Sequence, residues 1–182
     1  MTTPSAPPSG AKFAGVNLVS ANEAPVDETT KQAMMRSKAL AAALGGVVSV
    51  LMQSPDYKFN TLADLEWLVG PSLILQQFAL VEAPSAQSNH LLPIAAVLWG
   101  MVSPEVDQRL SRELDRPIRL LPTEWRSGDI PWIVVAAGDR NAIAPLLQKL
   151  AATRFASTPP KIRVRGAEGR VSVGRLELRP AS

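Results

Sequence analysis

Residues 132–136 read Trp-Ile-Val-Val-Ala, a continuously apolar run with three β-branched members. Such a run predicts the central strand of a sheet that is covered on both faces. Gly138 ends the run, and Asn141 is predicted to cap a helix that begins just after it. Pro145 is tolerated if it falls in or near the first turn, where its missing N–H costs no helical bond. A buried strand followed at once by a helix is typical of an α/β domain.

A long helix is predicted near the beginning of the chain. Apolar residues recur every three or four positions from Lys31 until Ser54-Pro55 stops the pattern. Gly45-Gly46 lies in the middle of this run and weakens the helix by roughly 1 kcal/mol for each glycine relative to alanine. We therefore expect either that another element packs closely against the helix or that the helix is broken into two pieces.

A short helix and a β-hairpin are predicted next. Thr61 and Asp64 have the spacing of a capping box, and Gly70-Pro71 is expected to end the short helix that they begin. Residues 77–81 and 94–102 have the apolar content of strands, and a polar, turn-prone stretch separates them. The simplest arrangement of these two strands is a hairpin.

The rest of the chain completes an α/β pattern. Ser103-Pro104-Glu105 is a strong helix start, because it combines a capping hydroxyl, a proline and an acid at the positive end of the helix dipole. Two basic strands at the end of the chain are joined by a turn at residues 166–169. This order predicts an α/β sandwich with a mixed sheet in a single domain over residues 31–182, after a flexible leader rich in Pro, Ser and Ala at residues 1–30. No strand is followed by a glycine-rich phosphate loop, which argues against a doubly wound nucleotide fold.

Composition limits the classes of site that the chain can carry. Its 182 residues suit one domain, and 46% of them are hydrophobic and 19% charged. The mean hydropathy of +0.07 lies at the apolar end for a soluble protein, so a partner or oligomer surface is expected. The absence of cysteine excludes disulfides and a thiol nucleophile, and with a single histidine it leaves only carboxylates as metal ligands. We expect no metal site.

No membrane-spanning or secretory segment is predicted. The longest uncharged apolar run, residues 91–102, contains Pro93 and Gly100 and is shorter than the roughly 18 residues that a span requires. Residues 1–12 lack the apolar core of a secretion signal. We therefore expect the protein in the cytoplasm.

The positive charge of the chain is modest and lies mainly at its end. The net charge is +3 and the isoelectric point is near 9.6, with cations alternating with apolar residues in the last two strands. Alternation of this kind predicts strands with one solvated face, and no aromatic residue is interleaved for base stacking. We expect no nucleic-acid partner, and attachment of residues 163–179 to a membrane surface is a further interpretation that rests on charge alone.

Three segments together form a recognisable pattern. Residues 54–58 read Ser-Pro-Asp-Tyr-Lys, residues 64–78 form a second block, and residues 121–132 read Leu-Pro-Thr-Glu-Trp-Arg-Ser-Gly-Asp-Ile-Pro-Trp. In this order they resemble the RTX toxin-activating lysine acyltransferases, over about residues 44–165. The resemblance implies a variant of the GNAT acetyltransferase fold and a homodimer. It also implies no tightly bound cofactor, an acyl carrier protein thioester as the donor, and internal lysines of a secreted RTX-type protein as the acceptors.

The two catalytic positions of that family are substituted in this chain. Amide formation needs a deprotonated lysine, and the family's histidine is suited to take the proton because its pKa lies near neutral pH. The matching residue here is Tyr57, and Val135 occupies the position of the family's aspartate. Two interpretations follow. The chain is a divergent protein-lysine acyltransferase with reduced activity, or it is a non-catalytic binding or regulatory partner of the carrier, the substrate or an active paralogue.

Other candidate residues have either a role in substrate binding or a purely structural role. The resemblance assigns substrate binding to a set that comprises Ser54, Lys58, Trp99, Ser103, Trp125, Ser127 and Asp129. Capping alone explains Ser103, and Gly128-Asp129 is a turn signal in any fold. The four tryptophans, which include Trp67 and Trp132, could line an acyl-chain pocket or pack in the core.

A few titratable residues could replace the missing base. Asp56, Glu66, Glu124 and Asp129 lie in or beside the matching segments. His90, the single histidine, falls in the predicted hairpin turn and is either a solvated loop residue or a relocated base. Sequence spacing alone does not bring any of them within reach of a lysine.

Overall fold

A computed structural model of the chain describes residues 27–85 and 90–176. Its centre is a five-stranded sheet with the strand order β1-β2-β3-β4-β5. Adjacent strands are antiparallel except β3 and β4, which are parallel, so the mixed sheet predicted from the sequence is confirmed. The strands are β1 (Phe78–Pro84), β2 (Leu91–Val102), β3 (Ile130–Gly138), β4 (Lys161–Arg165) and β5 (Val171–Arg175).

Five helices flank the sheet within the described residues, and the single-domain α/β architecture is compatible with a GNAT-like fold, as predicted. The helices are α1 (Glu28–Gln53), α2 (Leu62–Leu68), α3 (Gly70–Ile74), α4 (Pro104–Arg112) and α5 (Arg140–Thr153). Most of the predicted leader lies at residues 1–26, outside the described residues, as do Asn89 in the hairpin turn and residues 177–182 at the end of the chain.

The long helix α1 is continuous, and close packing explains its glycine pair. A Cβ atom at Gly46 would lie 2.6 Å from the Leu80 side chain of β1, so glycine permits this close approach. The first of the two alternatives is therefore correct. The helix begins at Glu28, three residues inside the predicted leader, and the Asp27 carboxylate caps it by accepting a hydrogen bond from the Thr30 backbone N–H at 2.8 Å.

One of two predicted helix boundaries is confirmed and the other is wrong. The short helix α2 ends at Leu68, just before Gly70-Pro71, as predicted. A further short helix that was not predicted, α3, begins at Gly70, with Pro71 in its first turn, where no N–H is needed. At the start of α5 the cap is Asp139 rather than Asn141, because the Asp139 carboxylate accepts from the Asn141 backbone N–H at 2.8 Å. Pro145 consequently lies beyond the first turn of α5. Two capping residue types two positions apart made this boundary ambiguous in the sequence.

Apolar clusters cover both faces of the sheet, as the run in β3 predicts. One cluster joins β2 and β3 to helices α1–α4, and the second joins them to α5. The register between β2 and β3 shifts by one residue, since Leu98 pairs with Val135 and Trp99 pairs with Ile133. Val134 is therefore the extra residue of a β-bulge, a feature that changes the direction of neighbouring side chains.

The parallel strands β3 and β4 meet at only one residue pair. Trp132 and Lys161 are in register, and no further pair joins the two strands. The Asp107 carboxylate of α4 contacts both residues of this pair, accepting from the Trp132 indole N–H at 2.7 Å and from the Lys161 ammonium at 2.7 Å and 2.8 Å. Past this point the strands diverge and open a groove in the sheet.

Candidate functional site

A cavity of about 1040 Å³ lies against the groove between β3 and β4. Ile133 and Val134 of β3 and Ile162 of β4 form its apolar floor. Other walls come from the loop between α1 and α2, from the loop after α4 at residues 114–118, and from the turn of the β4–β5 hairpin. The cavity thus joins the strand divergence to one of the two predicted catalytic positions, Tyr57, which lies in its wall.

A tight turn after α1 places Tyr57 in this wall. The Ser54 carbonyl accepts hydrogen bonds from the backbone N–H groups of Tyr57 at 3.1 Å and Lys58 at 2.9 Å. This turn leaves Asp56 and Lys58 exposed while Tyr57 is half-buried against the apolar cluster under α1. Ser54 itself is buried, and Lys58 lies 4.9 Å from the centre of the Phe59 ring.

The electrostatic environment keeps the Tyr57 phenol protonated. Burial, together with the smaller effect of the negative charge on the neighbouring Asp56, raises the pKa of Tyr57 to about 12. At neutral pH the phenol can therefore donate a hydrogen bond but cannot accept a proton. Tyr57 in the folded protein is therefore an even less suitable base than a tyrosine with an ordinary pKa.

Val135, the second predicted catalytic position, lies in the core. It is 1% exposed and belongs to the same apolar cluster against which Tyr57 packs. Its neighbours Ile133 and Val134 line the cavity, whereas Val135 does not. A carboxylate in this place would be surrounded by apolar side chains unless a charged partner accompanied it.

Among the carboxylates considered as replacement bases, Asp56 lines the cavity whereas Glu66, Glu124 and Asp129 do not. Glu124 is engaged by the Arg109 guanidinium at 2.7 Å and by the Leu121 backbone N–H at 2.8 Å. Asp64 also lines the cavity, but it accepts from the Thr61 backbone N–H and hydroxyl and from the Trp67 indole, which lower the pKa of this carboxyl.

His90 is exposed between β1 and β2 and does not line the cavity. Of the four candidate tryptophans, Trp67 lines the cavity. Trp125 and Trp132 are buried in the cluster under helices α1–α4. Trp99 belongs to the other cluster, where its ring meets Phe155 edge-on at 5.4 Å.

The segment at residues 121–129 builds a corner beside β2. The Ser127 hydroxyl accepts from the Ser103 backbone N–H at 2.9 Å and donates to the Glu124 carbonyl at 3.0 Å, while the Ser103 hydroxyl caps α4. A Cβ atom at Gly128 would lie 2.6 Å from the Val102 carbonyl, so only glycine fits. Ser103, Trp125 and Ser127 are therefore brought together with exposed Asp129 in one substructure, which is separate from the cavity lining around Tyr57.

Sequence reasoning missed the side chains that attach the β4–β5 hairpin to the rest of the protein. Lys161 binds Asp107, and the Arg163 guanidinium donates to the carbonyl oxygens of Leu110 and Arg116 at and beyond the end of α4. Burial lowers the pKa of Arg163, which stays far above neutral pH. The alternation of cations in β4 was the signal in the sequence, although it was interpreted as a solvated face.

Within the described ranges no group of three or more His, Cys, Asp or Glu side chains is arranged to hold a metal ion. One helix there, α1, has the length and composition of a membrane span. The sequence analysis did not count it, because it considered the longest uncharged apolar run, at residues 91–102. Core helices and signal sequences share this property, and only 17% of the span-like window of α1 is buried.

Comparison with known protein families gives a match that spans the candidate site. The chain matches the RTX toxin acyltransferase family over residues 35–173, which is well over half of its length and includes Tyr57, the residues that line the cavity and most of the β4–β5 hairpin. A comparison with curated individual proteins finds no match. The match runs from within α1 into β5 and so covers nearly the whole observed fold. On this evidence the chain belongs to the RTX toxin acyltransferase family.

Proposed function

We propose that the protein binds a fatty acyl group, carried as a thioester by acyl carrier protein, in the cavity between β3 and β4 and transfers it to internal lysines of a secreted RTX-type protein. The observation that carries this proposal is the divergence of the two parallel strands after the pair Trp132 and Lys161. Backbone groups that point from one strand toward the other past this pair have no strand partner, so they are available to an amide-containing prosthetic arm. The apolar floor of the cavity suits the acyl chain.

The proposed step balances as an aminolysis. The lysine nitrogen attacks the thioester carbonyl, a C–N bond forms, the C–S bond breaks, and the carrier thiol leaves with a proton. Tyr57 does not remove the lysine proton, because its own pKa is raised to about 12. The phenol instead acts as a hydrogen-bond donor to the carbonyl oxygen as negative charge develops there. Without a general base, the rate is expected to be lower by roughly 10²- to 10⁴-fold than in an intact family member.

A second candidate function is supported by the same two positions. A protonated phenol at Tyr57 and a valine buried at 135 are compatible with binding of the carrier and the substrate without turnover. The protein would then act as a non-catalytic partner of the carrier, of the RTX-type protein or of an active paralogue.

Co-expression distinguishes the two candidates. The protein, acyl carrier protein and an RTX-type protein encoded beside it are produced together, and intact mass reports acylation of the RTX-type protein. The unaltered protein is compared with Tyr57→His, Val135→Asp and with Tyr57→Phe as the matched variant that lacks both base and donor. Acylation by the unaltered protein supports transfer. Acylation by the His/Asp variant alone supports the non-catalytic role, and no acylation by any form contradicts the acyltransferase proposal.

We further propose that the protein is a homodimer in the cytoplasm and that the first half of α1 contributes to the dimer interface. Every residue from 28 to 42 is exposed, including Met34 at 51% and Met35 at 68%. A helix of this length is marginal without tertiary contacts, so a covering partner would stabilise it. Light scattering should give a dimer that Met34→Glu with Met35→Glu converts to monomer, whereas Gln148→Glu on α5 should not. A monomeric unaltered protein would contradict this proposal.

A further inference from the structure

Three cations share one face of β4, and their partners differ along the strand. Lys161, Arg163 and Arg165 alternate in sequence, so their side chains lie on the same side of the strand. Lys161 is bound by Asp107, and Arg163 donates to two backbone carbonyls at and beyond the end of α4. Arg165 is exposed, and it makes no hydrogen bond or ion pair within residues 27–85 and 90–176. The first two cations thus have partners within the fold, and the third does not.

A second arginine lies beside Arg165 at the turn of the hairpin. The Gly166 backbone N–H donates to the Arg170 carbonyl at 2.9 Å, and Arg165 pairs with Val171 in the β4–β5 register. Arg170 is also exposed and also lacks a partner in the part of the chain that the structure describes. Glu168, the acid in the same turn, pairs with neither arginine, and both arginines line the cavity. They therefore form a cationic rim at its edge.

The hairpin is held in a defined position despite its limited backbone pairing with β3. One residue pair joins β3 to β4, and the side chains of Lys161 and Arg163 attach the hairpin to α4 and to the loop after it. Because these contacts lie next to the rim, they fix the backbone from which the side chains of Arg165 and Arg170 extend. Guanidinium groups bind carboxylates and phosphates through paired hydrogen bonds, so a fixed pair of arginines suits an anionic partner better than a pair of flexible lysines.

We propose that Arg165 and Arg170 form the docking rim for the acidic surface of acyl carrier protein, which places the acyl-bearing arm of the carrier at the mouth of the cavity. This inference rests on the proposed function, since it specifies where the donor of that reaction binds. Charge complementarity supports the choice of partner. The rim is cationic, whereas Asp56 and Asp64 line the same cavity together with Tyr57, where a cationic lysine would approach. Donor and acceptor would then contact lining residues of opposite charge.

The test compares binding of acyl carrier protein to matched charge reversals. Calorimetry measures the affinity of the full chain for carrier bearing a non-hydrolysable acyl arm, at low and at physiological ionic strength. Arg165→Glu with Arg170→Glu is expected to weaken binding about tenfold or more and to reduce its salt dependence. Arg140→Glu with Arg154→Glu, at the two ends of α5, changes the net charge equally and should remain within about twofold of the unaltered protein. Circular dichroism checks folding, and the Gln pair Arg165→Gln, Arg170→Gln provides a milder second variant.

Further measurements separate the possible outcomes. Carrier without its prosthetic arm should bind more weakly but keep the dependence on the rim arginines, because its protein surface is unchanged. If only the free phosphopantetheine arm responds to the variants, the arginines recognise the phosphate and the docking surface is refuted. If the Glu pair and the Gln pair at Arg165 and Arg170 both bind the carrier as the unaltered protein does while lysine acylation proceeds, the docking surface is refuted and the proposed function stands. If the unaltered protein binds no form of the carrier, both fail.

Discussion

The proposed protonation state of Tyr57 can be measured directly, because it is the single tyrosine of the chain. Its pKa in the folded protein is raised to about 12, chiefly by burial and also by Asp56, whereas an unperturbed tyrosine titrates near about 10. Tyrosinate absorbance in the near ultraviolet should therefore appear about two pH units higher in the folded protein than in urea. A midpoint at or below about 10 in the folded protein would refute the argument that this phenol cannot serve as a base.

The same shift predicts a change in stability with a definite sign. Since the folded-state pKa lies above the unfolded value, the native state holds the proton more tightly. This contribution is present in full below about pH 10 and is lost as the pH rises through about 12. For a shift of about two units it amounts to roughly 2–3 kcal/mol, of which about 2 kcal/mol should be lost by about pH 11.5. Urea unfolding of the unaltered protein and of Tyr57→Phe isolates it, because other titrations cancel in the difference.

Three further predictions concern turnover and the groove. If acylation occurs, its rate should rise about tenfold per pH unit from about pH 7 toward 10, following the free lysine amine, whereas Tyr57→His should level off near pH 7. Timed intact-mass measurements report this profile, and a plateau in the unaltered protein would reveal a base elsewhere. Val135→Asp alone should lower the unfolding free energy by roughly 3–5 kcal/mol, with partial recovery at acid pH as the carboxyl protonates, and a loss below about 1 kcal/mol in urea unfolding would contradict its buried position. Asp107→Ala should lower stability by roughly 2–4 kcal/mol and speed amide exchange in β4, because it leaves Lys161 without its partner. Gln108→Ala, on the same helix but exposed, is the control. Equal effects of the two variants would contradict the role assigned to Asp107.

Local signals predicted those parts of the fold that local chemistry decides. The continuously apolar run gave the position of β3, the Thr61 and Asp64 pair caps α2, and Ser103 caps α4 as expected. The error falls where two local signals compete, since Asp139 and Asn141 can both cap α5. Gly70-Pro71 ends α2 as predicted and also begins α3, a second role that the pattern did not reveal.

Long-range contacts explain why the groove could not be found from the sequence. Lys161 and Asp107 are 54 residues apart in the chain, and no periodicity relates them. The separation of β3 from β4 is likewise a property of register, which the amino-acid pattern of either strand does not encode. The resemblance did identify Tyr57, because that position belongs to a short motif. It could not show that burial raises the pKa of the phenol, since that burial depends on the apolar cluster against which Tyr57 packs.

The two predicted catalytic positions share one apolar environment. Tyr57 packs against the cluster that contains Val135, so a charge at either position would form beside apolar side chains. Beside a protonated phenol, an aspartate at 135 would be a buried charge without a partner, which costs several kcal/mol. Valine removes that cost. The anchors of the β4–β5 hairpin and the arginine rim involve neither residue, so the proposed binding of an acyl carrier is separable from proton transfer.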